Sequence, residues 1–196
     1  MKKFELTSET KINVFGKKLF RIKALISFGN VEAGETGGWV EKEENVNQYG
    51  NAWVSGNAEV YGNAWVSGNA EVYGNAEVSG NAEVYGNAEV YGNAWVSGNA
   101  EVYGNAEVSG NAWVYGNAEV SGNADYTTIQ GFGTQFRTTT FFRCKDKAVR
   151  VSCGCFFGTI PEFREQVKNT RKSKIAEEYL MIADLMEKHF EVENNE

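Results

Sequence analysis

The stretch GNAWVSGNAEVYGNAEVSGNAEVYGNAEVYGNA, Gly62–Ala94, repeats one six-residue unit and varies it at only two positions. The triplet Gly-Asn-Ala occurs thirteen times, from Gly50 to Gly122, always six residues apart. A valine closes each interval, from Val54 to Val120. The slot between Ala and Val holds Trp or Glu, and the slot after Val holds Tyr or Ser. Any function of this region beyond folding is written in those two slots.

A period of six does not track the 3.6 residues of a helical turn, and glycine at every sixth position weakens a helix. The turns also come too often for a flat array of hairpins. On an extended strand Ala and Val, two residues apart, face one side, and the residue between them faces the other. Gly and Asn both tolerate positive φ and suit a corner. Each unit is therefore a very short strand followed by a turn, with Ala and Val inward and Glu or Trp outward. One unit cannot bury its own apolar side, but stacked units form a solenoid with a continuous core.

The unit V-[SY]-G-N-A-[EW] resembles the hexapeptide repeat of left-handed parallel β-helices. The resemblance covers Gly50 to Ala124. It implies a mainly β fold, a left-handed parallel β-helix with three hexapeptides in each triangular coil of eighteen residues. Twelve six-residue steps then make four coils. A coil rise of about 4.8 Å gives a span of roughly 19 Å. The segment VEAGETGGWVEKEENVNQYGNAWV, from Val31, reads as one or two degenerate entry coils. KKLFRIKALISF, from Lys17, reads as an N-terminal capping strand. The expected organisation is a cap with entry coils over 1–49, the regular repeat over 50–124 and a C-terminal cap over 125–196.

The net charge of −7 is unevenly distributed. No Lys or Arg stands between Lys42 and Arg137, and that interval holds eleven acids. The segment through Lys42 carries +3 and the segment from Arg137 carries +1. An acidic surface of this kind repels nucleic acid and attracts cationic partners, and it also serves solubility. No run of eighteen apolar residues occurs, so no membrane span is expected. MKKFELTSETKINVF has a basic start without an apolar stretch behind it, unlike a signal peptide. Three cysteines do not make a secreted disulfide framework. These features point to the cytoplasm.

After Ala124 the repeat ends. The segment through Phe163 is rich in Thr and Phe and reads as β, with a hairpin turning near Lys145-Asp146-Lys147. Thr159-Ile160-Pro161-Glu162 reads as a helix start. A short helix to about Lys168 follows, then a second from about Ser173 to about His189 with Ile175, Tyr179, Ile182 and Met186 on one face. GFGTQFRTTTFFRCKDKAVRVSCGCFFGTIPEF with YLMIADLMEKHF resembles the tail of uncharacterised hexapeptide-repeat proteins of phages and prophages of Gram-positive bacteria. Proteins of that group are described as polymer-forming by fold analogy, and fold does not determine function.

Cys144, Cys153, Cys155 and His189 are the candidates for a metal centre. Structural zinc takes two cysteine pairs, whereas this chain has one C-x-C and a lone cysteine, so ordinary thiols are expected and no metal or cofactor. On a strand Cys153 and Cys155 would share a face. Many left-handed β-helices are acyltransferases using a His base, and a degenerate transferase is one reading of the family. The single His189 falls outside the coils, so no enzyme is expected. Ice binding would favour ranks of Thr, which these faces lack.

Residues eighteen apart are expected to stack. The columns read Trp53, Glu71, Glu89, Glu107; then Glu59, Glu77, Trp95, Trp113; then Trp65, Glu83, Glu101, Glu119. Tyr73 stacks with Tyr91 and Tyr85 with Tyr103 in the adjacent slots. Carboxylates about 5 Å apart repel, by roughly 3 kcal/mol at an effective dielectric of 20 and under 1 in water. A solenoid selected only for stability would alternate Glu with Lys. Duplication of one acidic unit explains the ladder without function. Otherwise Glu71, Glu89, Glu107, Glu83, Glu101, Glu119, Tyr73, Tyr91, Tyr85, Tyr103, Trp95 and Trp113 are the partner-binding candidates. The expected function is non-catalytic binding to a protein partner, or assembly of the chain into a homo-oligomer. The alternative is a phage inhibitor that occupies the basic groove of a host nucleic-acid-binding defence enzyme, its carboxylates imitating phosphates.

Overall fold

The computed structural model describes residues 2–191. They form two compact units, one through Asn123 and one from Ala124.

The first unit opens with β1 (Phe4–Ile12) and β2 (Lys18–Ala24), an antiparallel hairpin with a bulge between Leu6 and Thr10. The sequence pattern predicts the second of these strands and not the first. β2 pairs antiparallel with β3 (Thr36–Val40), and β3 then enters the solenoid, pairing parallel with β5 (Glu59–Val60). From β4 (Trp53–Val54) to β15 (Glu119–Val120) one two-residue strand recurs in every hexapeptide. These strands stack in three parallel columns, β4-β7-β10-β13, β5-β8-β11-β14 and β6-β9-β12-β15, each step eighteen residues long. Every repeat Ala and Val from Ala52 to Val120 is at most 1% exposed. Burying one valine contributes roughly 1.5–3 kcal/mol, and only stacking provides that burial.

The corners follow from the same chemistry. Gly98 adopts φ +72, and a Cβ there would stand 2.8 Å from the Gly116 nitrogen in the next coil. Positive φ at the corners falls to glycine alone, since no repeat asparagine takes it. The asparagines instead form ladders. Asn51 Nδ2 donates to Asn69 Oδ1 at 3.0 Å, and the relation continues down all three corners to Asn99 and Asn117. The repeat pattern alone marks Asn only as a turn former.

Entry into the solenoid is one incomplete coil. Val40 pairs with Val60 and Val46 bridges Val66, twenty residues on, whereas Val54 meets Val72 after eighteen. Gln48 and Tyr49 are the two extra residues, inserted between Asn47, whose N–H reaches Val66 O, and Asn51, whose N–H reaches Gly68 O. The backbone carbonyls at the open end of the first coil need donors. Lys3 Nζ, 2% exposed, donates to Ala52 O at 2.8 Å and to Gly50 O at 3.4 Å. Arg21 Nη1 donates to Gly56 O at 2.9 Å. Asn45 Nδ2 donates to Ala64 O at 2.8 Å and Gly62 O at 3.3 Å. Each corner of the first coil is thus covered by one side chain from the N-terminal segment.

The second unit is a four-stranded antiparallel meander followed by two helices. Its strands are β16 (Tyr126–Phe132), β17 (Arg137–Arg143), β18 (Val149–Cys153) and β19 (Phe156–Thr159). The β17–β18 turn sits at Lys145–Lys147, with Lys147 at φ +64. Helix α1 (Ile160–Thr170) starts on a capping box in which Glu162 Oε2 accepts from the Thr159 N–H at 2.7 Å. It runs two residues past the expected end. Helix α2 (Ser173–Phe190) buries Tyr179, Ile182 and Met186 against Phe141, Val151 and Phe163. Arg164 holds Asp184 and Glu187, both at 2.7 Å, and so ties α1 to α2. Cys153 and Cys155 do not share a strand face, because Gly154 at φ +61 turns the chain and leaves Cys155 in the loop. No helix among the described residues is long and apolar enough to cross a membrane.

Candidate interaction faces

The two variable slots point away from the Ala–Val core and meet neighbours on adjacent coils, but Trp53, expected outward, is buried beneath Phe4 and Phe28. Glu71, Glu89 and Glu107 stand in parallel register, as do Glu83, Glu101 and Glu119. Tyr73 and Tyr91 stack with ring centroids 4.9 Å apart and planes at 2°. Tyr85 and Tyr103 stack at 5.0 Å and 5°. These two faces bring the sequence-derived candidates together as columns.

The columns are also joined to one another, which like-on-like stacking does not predict. Each tyrosine from Tyr61 to Tyr103 reaches the glutamate sixteen residues later, one coil on and one slot back. Tyr73 Oη donates to Glu89 at 2.7 Å, Tyr85 to Glu101 at 3.2 Å, Tyr91 to Glu107 at 3.3 Å and Tyr103 to Glu119 at 2.9 Å. Tyr61 donates to Glu77 in the same way. The ladder is therefore a row of carboxylates held by phenols, and the hydrogen bonds offset part of the mutual repulsion. A signal for this exists in the sequence. Every tyrosine from Tyr61 to Tyr103 has Glu sixteen residues on, whereas Ser79 and Ser97 precede Trp95 and Trp113 at that offset. Serine leaves room for the indole, and Trp95 Nε1 donates to Ser79 Oγ at 3.2 Å.

Burial is the first cause of the shifted acidities. The Glu71 carboxyl lies above the usual range because of burial, with the charge of Glu89 second. Repulsion alone, the expected cause, is the smaller one. Burial also raises Glu77, with the Glu59 charge adding and the Tyr61 hydrogen bond opposing. The Tyr85 phenol is pushed up to about 12 by burial and by Glu101, and Tyr73 and Tyr61 are raised as well, led by burial. A phenol whose acidity is suppressed in the folded state stabilises fully below its ordinary value near 10, and that contribution is lost as pH rises through the folded value. Thermal melts should therefore show stability falling between pH 10 and 12, and a Tyr61, Tyr73 and Tyr85 to Phe variant should lose less over that interval. Equal losses in both proteins would contradict the phenol–carboxylate pairing.

Glu71 and Glu107 are exposed and Glu89 is half-buried. Changing all three to Gln keeps an acceptor for each phenol and removes the repulsion. The thermal midpoint should stay the same or rise. A large fall, read by circular dichroism, would contradict an outward, self-repelling ladder.

The third face differs. The β1–β2 hairpin tip reaches onto it, placing Phe15 6.1 Å from Tyr61 and 6.0 Å from Trp95, ring centre to ring centre. Lys11 pairs with Glu59 at 2.8 Å and Asn13 Nδ2 donates to the same carboxylate at 3.1 Å. Trp95 and Trp113 meet edge to face at 5.1 Å. Trp95, a partner-binding candidate from the sequence, is thus half-buried within the chain, while Trp113 is 41% exposed. The hairpin's role was not legible, since nothing in FELTSETKI ties it to the column that begins at Glu59.

The remaining candidates do not assemble. Cys144 is buried on the β17 side of the meander turn, and His189 packs edge-on against Phe190 at 5.0 Å. Among the described residues no three His, Cys, Asp or Glu side chains stand together as a metal site.

A family model described as YdcK Beta solenoid repeat matches residues 82–98. That segment holds Glu83, Tyr85, Glu89, Tyr91 and Trp95, and the likeness agrees with a β-solenoid repeat. Comparison with curated proteins gives no match.

Proposed function

We propose that the chain is a non-catalytic β-solenoid protein of phage or prophage type, acting inside the bacterial cell, that binds a protein partner or a second copy of itself. The faces it uses are the Glu71-Glu89-Glu107 and Glu83-Glu101-Glu119 columns with their stacked tyrosines. The observation that carries this reading is the repeated phenol-to-carboxylate bond, which presets one acid–aromatic unit at regular intervals on a rigid core. A catalytic centre needs unlike groups converging on one reacting atom. A display surface needs the same group repeated in fixed geometry. Preset side chains lose little entropy on binding, and tyrosine is an anchor residue of interfaces. The partner complementary to such a face carries Lys or Arg.

A second reading is favoured by one coil. Glu71, Glu77 and Glu83 place three carboxylates on a single coil rise, about 1.6 Å of axis per charge, close to the 1.7 Å of duplex nucleic acid. Averaged over four coils the eight glutamates give about 2.4 Å per charge, which is sparser than a duplex. On this reading the partner is a nucleic-acid-binding enzyme that the rod inhibits.

The test is affinity capture on immobilised chain from bacterial lysate at low and high salt, beside a variant with all six column glutamates changed to Gln. Retention of a basic protein by the native chain, released by salt and lost with the variant, is expected for a hetero-partner. Recovery of the chain alone, with a defined oligomer that the variant does not form, is expected for self-association. Identical behaviour of the two baits in both respects would overturn the proposal.

A further inference from the structure

The turn between β18 and β19 reads Cys153-Gly154-Cys155. Cys153 pairs across to Phe156, so Gly154 and Cys155 are the two turn residues. Glycine with φ +61 at the first turn position suits a tight hairpin. Cys153 Sγ accepts from Thr139 Oγ1 at 3.2 Å and is partly exposed, and Cys155 is exposed. Both cysteines line one cleft of about 90 Å³ under the β16–β17 loop and beside α1 and α2. Arg137 and Arg171 line the same cleft, and no Asp or Glu does. Among the described residues neither arginine has an ion pair. Arg137 lies directly on the turn, since a Cβ added to Gly154 would collide with its Nη1. Two thiols one residue apart, opening into a cleft with two unpaired guanidinium groups, form a combination that folding alone does not require.

We propose that Cys153 and Cys155 are a thiol–disulfide exchange site for a low-molecular-weight disulfide that carries carboxylates. The guanidinium groups attract the anionic reagent into the cleft. The Cys155 thiolate, the more exposed of the two, attacks one sulfur of R–S–S–R. The Cys155–S–S–R bond forms, the R–S–S–R bond breaks and one thiolate RS⁻ leaves. The Cys153 thiolate then attacks Cys155 Sγ, the Cys153–Cys155 disulfide forms and the second RS⁻ leaves. Two protein thiols are oxidised, giving up two protons and two electrons, and one disulfide is reduced to two thiols. Cys144 supplies an internal control, because it is buried and its thiol is pushed up to about 11 by burial.

The experiment treats the reduced full-length chain with dithiodipropionate, a dicarboxylate disulfide, and with cystamine, its diammonium counterpart. Each rate is divided by the rate for free cysteine, and peptide masses locate the products. The dicarboxylate should react about tenfold faster on this normalised scale. The preference should collapse in an Arg137→Gln, Arg171→Gln variant. The native chain should end with the 153–155 peptide lighter by two hydrogens, Cys153→Ser should retain the mixed disulfide on Cys155, and Cys144 should stay unmodified. Equal normalised rates for the two reagents, or a mixed disulfide that persists in the native chain, would overturn the assignment.

Discussion

Gly98→Ala should destabilise the solenoid by about 2–5 kcal/mol. The residue sits at φ +72, a backbone that costs an L-residue about 1–2 kcal/mol. The new methyl group would also stand 2.8 Å from the Gly116 nitrogen and 3.0 Å from its carbonyl oxygen. Those atoms belong to the next coil's backbone, which the inter-coil hydrogen bonds fix, so the overlap adds about 1–3 kcal/mol. Gly110→Ala is the matched control. Its φ is +67, but a Cβ there meets nothing within 4 Å, so only the backbone cost of about 1–2 kcal/mol applies. Urea unfolding of the two variants should separate them. Equal losses would mean that coil stacking does not demand glycine.

Lys3→Met is expected to cost about 1–3 kcal/mol although it keeps most of the side-chain volume. The change removes the donor to Ala52 O and Gly50 O and leaves buried acceptors at the open end of the first coil. It also removes the ammonium group 4.8 Å from the centre of the Phe28 ring. Burial lowers the Lys3 amine to about 8. Between that value and 10.5 the unfolded chain binds more protons than the folded one, so the native protein gains stability as pH rises through this window. The methionine variant has no titrating group at this position and lacks that gain. The gap between the two proteins should therefore widen from pH 8 toward pH 10, before the phenols begin to ionise. A constant gap would mean that the Lys3 ammonium is as well solvated in the folded state as in the unfolded chain, and a narrowing one that folding holds its proton more tightly; either would contradict the burial.

Much of the solenoid was legible because its unit is nearly invariant. Once Ala and Val are assigned inward, the eighteen-residue coil places Glu71 on Glu89 and Tyr73 on Tyr91 without further information. The entry coil was less legible because Gln48-Tyr49 shifts its offset to twenty residues. Strand β1 was missed because the bulge between Leu6 and Thr10 breaks its alternation. The phenol–carboxylate pairs escaped because stacking arguments compare like positions, whereas a tyrosine side chain leans sideways by one slot. Cys155 was misplaced because Cys-Gly-Cys is compatible with a strand until the glycine takes positive φ. The meander and helices of the second unit were largely readable from the Thr159 capping box and the apolar stripe of α2.

On the proposed function, an ordered array of phenol-held carboxylates, rather than diffuse negative charge, makes the recognition surface. A variant with Tyr73, Tyr91, Tyr85 and Tyr103 changed to Phe separates the two. This variant keeps the −7 net charge and every column glutamate, and loses only the phenol hydroxyls. Its affinity for the captured partner, or for itself, would be compared with that of the native chain by titration at several salt concentrations. Binding should weaken by about fivefold or more, with the salt slope little changed, because the charge remains and the preset geometry does not. Unchanged affinity across the series would contradict it and reduce the faces to a general acidic surface.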